Sequence, residues 1–273
     1  MKYKLNFVKI SDAHEFAGVG FAGNIFLILN ALTHIDETDE MYVNMETYEC
    51  ACTDKTVTDF KTQNCWEYYF NQTPNQNIQK DIDIFMSANI DYEDRNIFLY
   101  PENFISLQEK FWKNFSLKQE IEESINKFYE KNIKNKTTLG VQIRLTDMKH
   151  HHNVSSVQKY VDKIKQILID IPEIKQIFLS TDDSEVITIL KENLSIPVIF
   201  YENMFRASKE MPHINPYDRF HNGRLHHRYL LCMECCQEIF TLSKCDFLLK
   251  ADISSISILA SIFSEKIKKI FKL

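Results

Sequence analysis

The chain opens on an alternation of apolar and polar residues, "YKLNFVKI", which predicts a half-buried strand. A glycine-containing turn, "GVGFAGN", follows and leads into an apolar helix over roughly 23–34 and a short strand, "MYVNM". From about 50 to 95 the pattern dissolves into Asn, Asp and Thr, which reads as loops and short helices around the aromatic island "CWEYYF" at 65–70. Phe111, Phe115, Ile121, Ile125 and Phe128 then fall near helical spacing and predict a long helical segment over about 104–133.

The second half is more regular. "TTLGVQIRL" is a continuous apolar run that turns polar at its end, as a strand buried on both faces should. Val154, Val157, Val161, Ile164 and Leu168 share one helix face over 154–170. The strand "IKQIFLSTDD", a helix over 184–193 and the strand "IPVIFY" come next. An irregular stretch rich in His, Arg and Asn separates these from an apolar helix near 229–243. The strand "CDFLLK", a helix over 254–264 and the strand "KIKKIF" complete the chain. Strands alternating with helices imply parallel sheets. The expected architecture is two α/β lobes, 1–133 and 134–273, each Rossmann-like, with a ligand cleft between them.

Composition narrows the function classes. The 273 residues carry 38 acidic and 32 basic side chains, without the basic excess of a nucleic-acid binder. No secretory signal and no apolar run of membrane-spanning length is visible, so a cytoplasmic protein is expected. Seven cysteines show no disulfide-scaffold spacing. Cys232, Cys235 and Cys236 fall on one face of a predicted helix, where core packing is a simpler role than zinc ligation.

Candidate chemistry collects at the ends of the predicted strands, where ligands sit in open parallel sheets. Arg144, Thr146 and Asp147 follow one strand, Thr181, Asp182 and Asp183 the next, and Ser254 and Ser255 begin a helix after a third. An arginine there suits a diphosphate, with a salt bridge to Asp147, Asp182 or Asp183 as the alternative. Gly20, Gly23 and Asn24 form a turn that would let backbone N–H groups approach an anion.

"GVQIRLTD" resembles the "GVHVRRTD" motif of the superfamily of α1,6-fucosyltransferases, nodulation fucosyltransferases and protein O-fucosyltransferases. "IFLSTDDSEVI" and "EIFTLSKCDFLLKADISSISILA" resemble two further segments of that superfamily in the same order. The opening "GVGFAGNIFLILNAL" resembles its N-terminal turn and helix, and "NCWEYYF" its small bacterial members. The resemblance is most specific over about 137–265. It implies a two-lobed GT-B glycosyltransferase that uses GDP-fucose and a glycan acceptor without a metal ion or other cofactor. It places Arg144 on the arginine that holds the donor's diphosphate, Ser254 and Ser255 on a phosphate-contacting pair, and Gln142 and Glu238 on nucleotide contacts. Asp182 and Asp183 fall on the paired acids of the motif and Asn24 on a donor-side asparagine. Leu145, Gln142, Glu238 and Ile253 depart from the family pattern. For the general base, Asp182, Asp183 and His213 are candidates. Trp66, Arg206 and His213 are candidates for an acceptor or lid role. The rival readings are a glycosyltransferase for another nucleotide sugar and a nucleotide- or glycan-binding protein with weakened catalysis.

Overall fold

The structure is a computed structural model that describes residues 1–9, 20–48, 53–54, 57, 61–86, 104–145, 155–206, 224–251, 254–264 and 266–273. It divides into two compact units, Met1–Glu122 with Asn222–Cys236, and Glu123–His221 with Gln237–Leu273. The division therefore falls inside two helices instead of at 133/134, and a later segment returns to the first unit.

In the first unit, β1 (Lys2–Lys9) is flanked by two parallel strands, β2 (Glu40–Asn44) and β4 (Lys80–Met86). Tyr3, Leu5 and Phe7 are buried, as the alternation of β1 requires. Helix α1 (Phe21–Thr33) buries Ile25, Ile28, Leu29 and Leu32 completely. Two lysines of α2 (Phe104–Asn114) close the chain that leaves α1. Lys110 Nζ donates to the carbonyls of Leu32 and Ile35, and Lys113 Nζ to those of Glu37 and Asp39. Cations at a helix carboxyl end satisfy exposed carbonyls and the negative end of the dipole.

Strand β2 is a sheet edge, and its outward backbone groups are met by side-chain amides. Asn114 Oδ1 accepts from the Met41 N–H at 2.7 Å. Gln72 accepts from the Val43 N–H at 2.8 Å and donates to the Val43 carbonyl at 3.0 Å. Asn64 accepts from the Met45 N–H at 3.0 Å, donates to the Val43 carbonyl at 2.7 Å and caps the 3₁₀ turn Cys65–Tyr68. Positions 41, 43 and 45 share one side of the strand, so three amides seal the edge that a further strand would otherwise occupy.

Two expectations fail in this unit. The residues 80–86 form β4 although they lie in the polar middle, because Asp81-Ile82-Asp83-Ile84 still alternates with period two. The expected long helix over 104–133 is two helices, α2 and α3 (Gln119–Asn132), separated by β5 (Phe115–Leu117). β5 pairs antiparallel with β3 (Phe70–Gln72), and the aromatic spacing reads through the break because Phe111, Phe115 and Ile121 are all buried.

The second unit holds a five-stranded sheet in the order β10-β9-β6-β7-β8, parallel at every pairing. Its strands are β6 (Thr138–Ile143), β7 (Gln176–Thr181), β8 (Val198–Ile199), β9 (Phe247–Lys250) and β10 (Lys269–Lys272). The chain builds outward from β6 in one direction through β7 and β8, then returns to β6's other side with β9. The order of strands thus reverses between β6 and β9, which marks the ligand-binding switch point of such sheets.

One face of this sheet is apolar. Leu139, Val141, Ile143, Ile177, Leu179, Phe247 and Leu249 pack against α4 (Val157–Asp170) and α5 (Ser184–Asn193). The opposite face carries Gly140, Gln142, Phe178, Ser180, Leu248 and Lys250. On that face α6 (His227–Leu242) approaches closely. A methyl at Gly140 would lie 3.0 Å from Leu242 and 3.2 Å from the Cys245 sulfur, so contact there requires glycine.

Candidate functional site at the carboxyl edge of the second sheet

Arg144 follows the last residue of β6 and points to the face opposite the α4–α5 core, by strand alternation. Its side chain is 24 % exposed, and Nε lies 4.0 Å from Asp182 Oδ2. The other Asp182 oxygen accepts from the Leu145 N–H at 3.0 Å. Asp182 therefore ties the end of β6 to the end of β7 and orients the arginine. Asp183 instead serves the helix that follows, where its side chain caps α5 by accepting from the Glu185 N–H at 2.9 Å.

Across the switch point, β9 ends at Lys250 and α7 (Ser255–Ile262) begins. Ser254 occupies the N-cap position of α7, yet its side chain makes no capping bond. The residue is 3 % exposed, and among the described residues its hydroxyl has no hydrogen-bond partner. Ser255 starts the helix itself. A buried N-cap hydroxyl withheld from its own helix, beside open helix N–H groups, forms a ready anion cradle. Sequence reading missed Lys250. The register Val141↔Leu249 sets it beside Gln142, on the same sheet face as Arg144.

Deeper on that face, Gln142 is 2 % and Ser180 1 % exposed. They are register partners on β6 and β7. Among the described residues, Gln142 Oε1 and Ser180 Oγ both lack a hydrogen-bond partner. Glu238 is half-buried on α6. Burial first, and then the Glu238 carboxylate, hold the Tyr201 phenol well above its ordinary value, opposed by its 2.8 Å hydrogen bond with Thr241.

The remaining candidates are placed as follows. Gly20 is the N-cap of α1 with φ −61 and ψ 169, extended backbone that any residue adopts. Gly23 and Asn24 already lie within α1, and the Asn24 N–H closes the first turn on the Gly20 carbonyl at 3.1 Å. Gly20 thus opens the helix, and Gly23 and Asn24 stand in its first turn. Trp66 is a core residue, 1 % exposed, stacked on Phe70 at 4.1 Å and edge-on to Phe115 at 5.3 Å. Its ring is not available to stack on a sugar. Arg206 lies on the carboxyl side of β8 with its guanidinium 5.2 Å from the Phe200 ring centroid, and it donates to the Met204 carbonyl at 3.2 Å. Thr146, Asp147, His213 and Ile253 lie outside the described residues. Leu145, where the family motif has its second arginine, is 5 % exposed and joins the α4–α5 core.

Cys232 and Cys236 are buried on α6, and burial pushes the Cys236 thiol well up, so these cysteines pack as apolar groups. Among the described residues, no group of three or more His, Cys, Asp or Glu side chains is arranged to hold a metal ion. Among them, too, no helix is long and apolar enough to cross a membrane.

A parallel α/β sheet whose strand order reverses at β6 and β9 places a ligand crevice at its carboxyl edge. Among solved structures, the chain is similar to the fucosyltransferase NodZ from Bradyrhizobium, with a TM-score of 0.58 and 12% identity over 97% of this chain and 94% of that one. It is similar to NodZ α-1,6-fucosyltransferase soaked with GDP-fucose, with a TM-score of 0.56 and 12% identity over 95% and 92%. It is also similar to POFUT1 in complex with GDP, with a TM-score of 0.53 and 10% identity over 99% and 97%. The chain shares the fold of these fucosyltransferases along nearly its whole length. No family model and no curated protein matches the sequence itself.

Proposed function

We propose that the chain is a glycosyltransferase that moves fucose from GDP-fucose to a glycan hydroxyl with inversion at the anomeric carbon. The observation that carries this reading is Arg144 on one side of the switch point and the unpartnered Ser254 hydroxyl at the start of α7 on the other. The fold likeness to NodZ soaked with GDP-fucose and POFUT1 with GDP supports the choice of donor.

In this reading the acceptor oxygen attacks the anomeric carbon as the bond from that carbon to the diphosphate oxygen breaks. The bonding pair leaves with GDP, and the acceptor hydroxyl passes its proton to water, so that donor and acceptor give the fucoside, GDP and a proton. Negative charge grows on the departing diphosphate. Arg144, the Ser254 hydroxyl and the N–H groups opening α7 stabilise that charge, with Lys250 as a further cation at the same edge. These groups supply the neutralisation themselves, so the proposal calls for no metal ion. Asp182 acts through Arg144 as a positioning residue. Glu238 and Gln142 lie on the side of the nucleoside.

A second reading, a glycosyltransferase for another nucleotide sugar, is favoured by Gln142 and Glu238, which replace the family's histidine and aspartate. The test is release of GDP from GDP-fucose with a glycan acceptor, run beside donors carrying UDP and ADP. The fucose reading predicts turnover with the GDP donor. Turnover with another nucleotide alone would select the second reading, and binding of nucleotide without turnover would leave a binding protein.

A further inference from the structure

Ser180 is used neither by the apolar core nor by the charge cluster that meets the diphosphate. It lies on β7 beside Gln142 on β6, on the face opposite α4 and α5. The two residues are 1 % and 2 % exposed, and among the described residues Ser180 Oγ and Gln142 Oε1 both lack a partner. Buried polar atoms in native proteins are nearly always bonded, so each exception calls for an explanation. Here two exceptions stand side by side, two residues below Arg144.

Their chemistry restricts what can satisfy them. Gln142 Oε1 only accepts, so its partner must carry an N–H or O–H. An ionised diphosphate has only acceptors and is excluded. The Ser180 hydroxyl can donate or accept. Two residues along a strand span about 6.6 Å, a distance suited to a different part of the ligand that Arg144 holds by its phosphates. The close approach of α6 at Gly140 closes this face one step deeper still.

We propose that Ser180 is a specificity-determining residue that reads the base of the bound nucleotide together with Gln142. In this arrangement Ser180 Oγ–H donates to the exocyclic oxygen of a 6-oxopurine, and Gln142 Oε1 accepts from the neighbouring ring N–H. The inference rests on the GDP-sugar reading above and extends it to a residue with no role there.

The test is titration of GDP, ADP and UDP into the full chain and its Ser180→Ala variant, with thermal melting of both in the absence of nucleotide. Removing a hydroxyl that has no partner in the free protein leaves the melting temperature of Ser180→Ala equal to or above that of the wild type. Its GDP affinity falls about 5- to 10-fold, and the preference for GDP over ADP narrows. A variant that binds GDP as tightly as the wild type overturns the role of Ser180 and leaves the transferase reading standing. So does a variant destabilised without nucleotide at unchanged affinity, since the hydroxyl would then serve the fold through a bound water. A wild-type chain that binds no GDP overturns both.

Discussion

Asn64 in the first unit and Gln142 in the second are both buried amides beside a parallel strand, and their surroundings treat them in opposite ways. Asn64 spends its whole bonding capacity on the chain: it accepts from Met45 and Trp66 and donates to Val43 and Tyr42. Gln142 leaves its carbonyl oxygen unmet, and the hydroxyls of Ser180 and Ser254 do the same. The first arrangement closes a sheet edge and serves folding. The second keeps buried bonding capacity in reserve at the end of the sheet where ligands bind, and it serves recognition. The same residue class therefore means different things according to whether its bonds are already made.

That contrast can be broken by substitution. The largest expected effect is on turnover with Arg144→Ala, which should lower transfer from GDP-fucose by about 10²- to 10³-fold while thermal melting stays near that of the wild type. Asn64→Ala should show the reverse pattern. It strands the buried N–H groups of Met45 and Trp66, so chemical denaturation should report a loss of about 3 kcal/mol, with residual folded protein keeping its nucleotide affinity. Ser254→Ala should reduce GDP affinity about 5- to 10-fold in calorimetry, again without a loss of stability in the free chain. A stability loss there would place Ser254 with Asn64 instead of Gln142.

The smallest effect is on pH. The Tyr201 phenol is raised above its ordinary value by burial. Its folded pKa exceeds its unfolded one, so its contribution is complete below about pH 10 and is lost as pH rises further. Stability curves of wild type and Tyr201→Phe should therefore run parallel at neutral pH and converge in alkali. Curves that stay parallel through the alkaline range would remove the phenol from the balance.

The two units also differed in how far the sequence exposed them. In the second unit β6 and β7 were legible because each is a largely apolar run that turns polar at Arg144 or at Asp182, and those ends belong to the site. The first unit hid more. Strand β4 lies in a stretch whose Asn and Asp content suggests loops, and only the alternation of Ile82 and Ile84 with aspartates marks it. The amides that seal β2 come from Asn64, Gln72 and Asn114, far apart in sequence, and no local pattern links them. Leu145 is intelligible only from the strand, since its position sends it into the core, where an arginine would be costly. Ser180 stands in the sequence as a small polar residue near the end of a strand, and its missing partner is a property of packing that no spacing reveals.

The central claim is that the Arg144 edge of the second sheet binds the diphosphate of a guanine nucleotide. The most direct measurement is calorimetric titration of GDP and GMP into the wild type and Arg144→Ala. The account predicts that the wild type binds GDP at least 10-fold more tightly than GMP and that the variant loses that difference. An Arg144→Ala chain that keeps the full preference for GDP would contradict it.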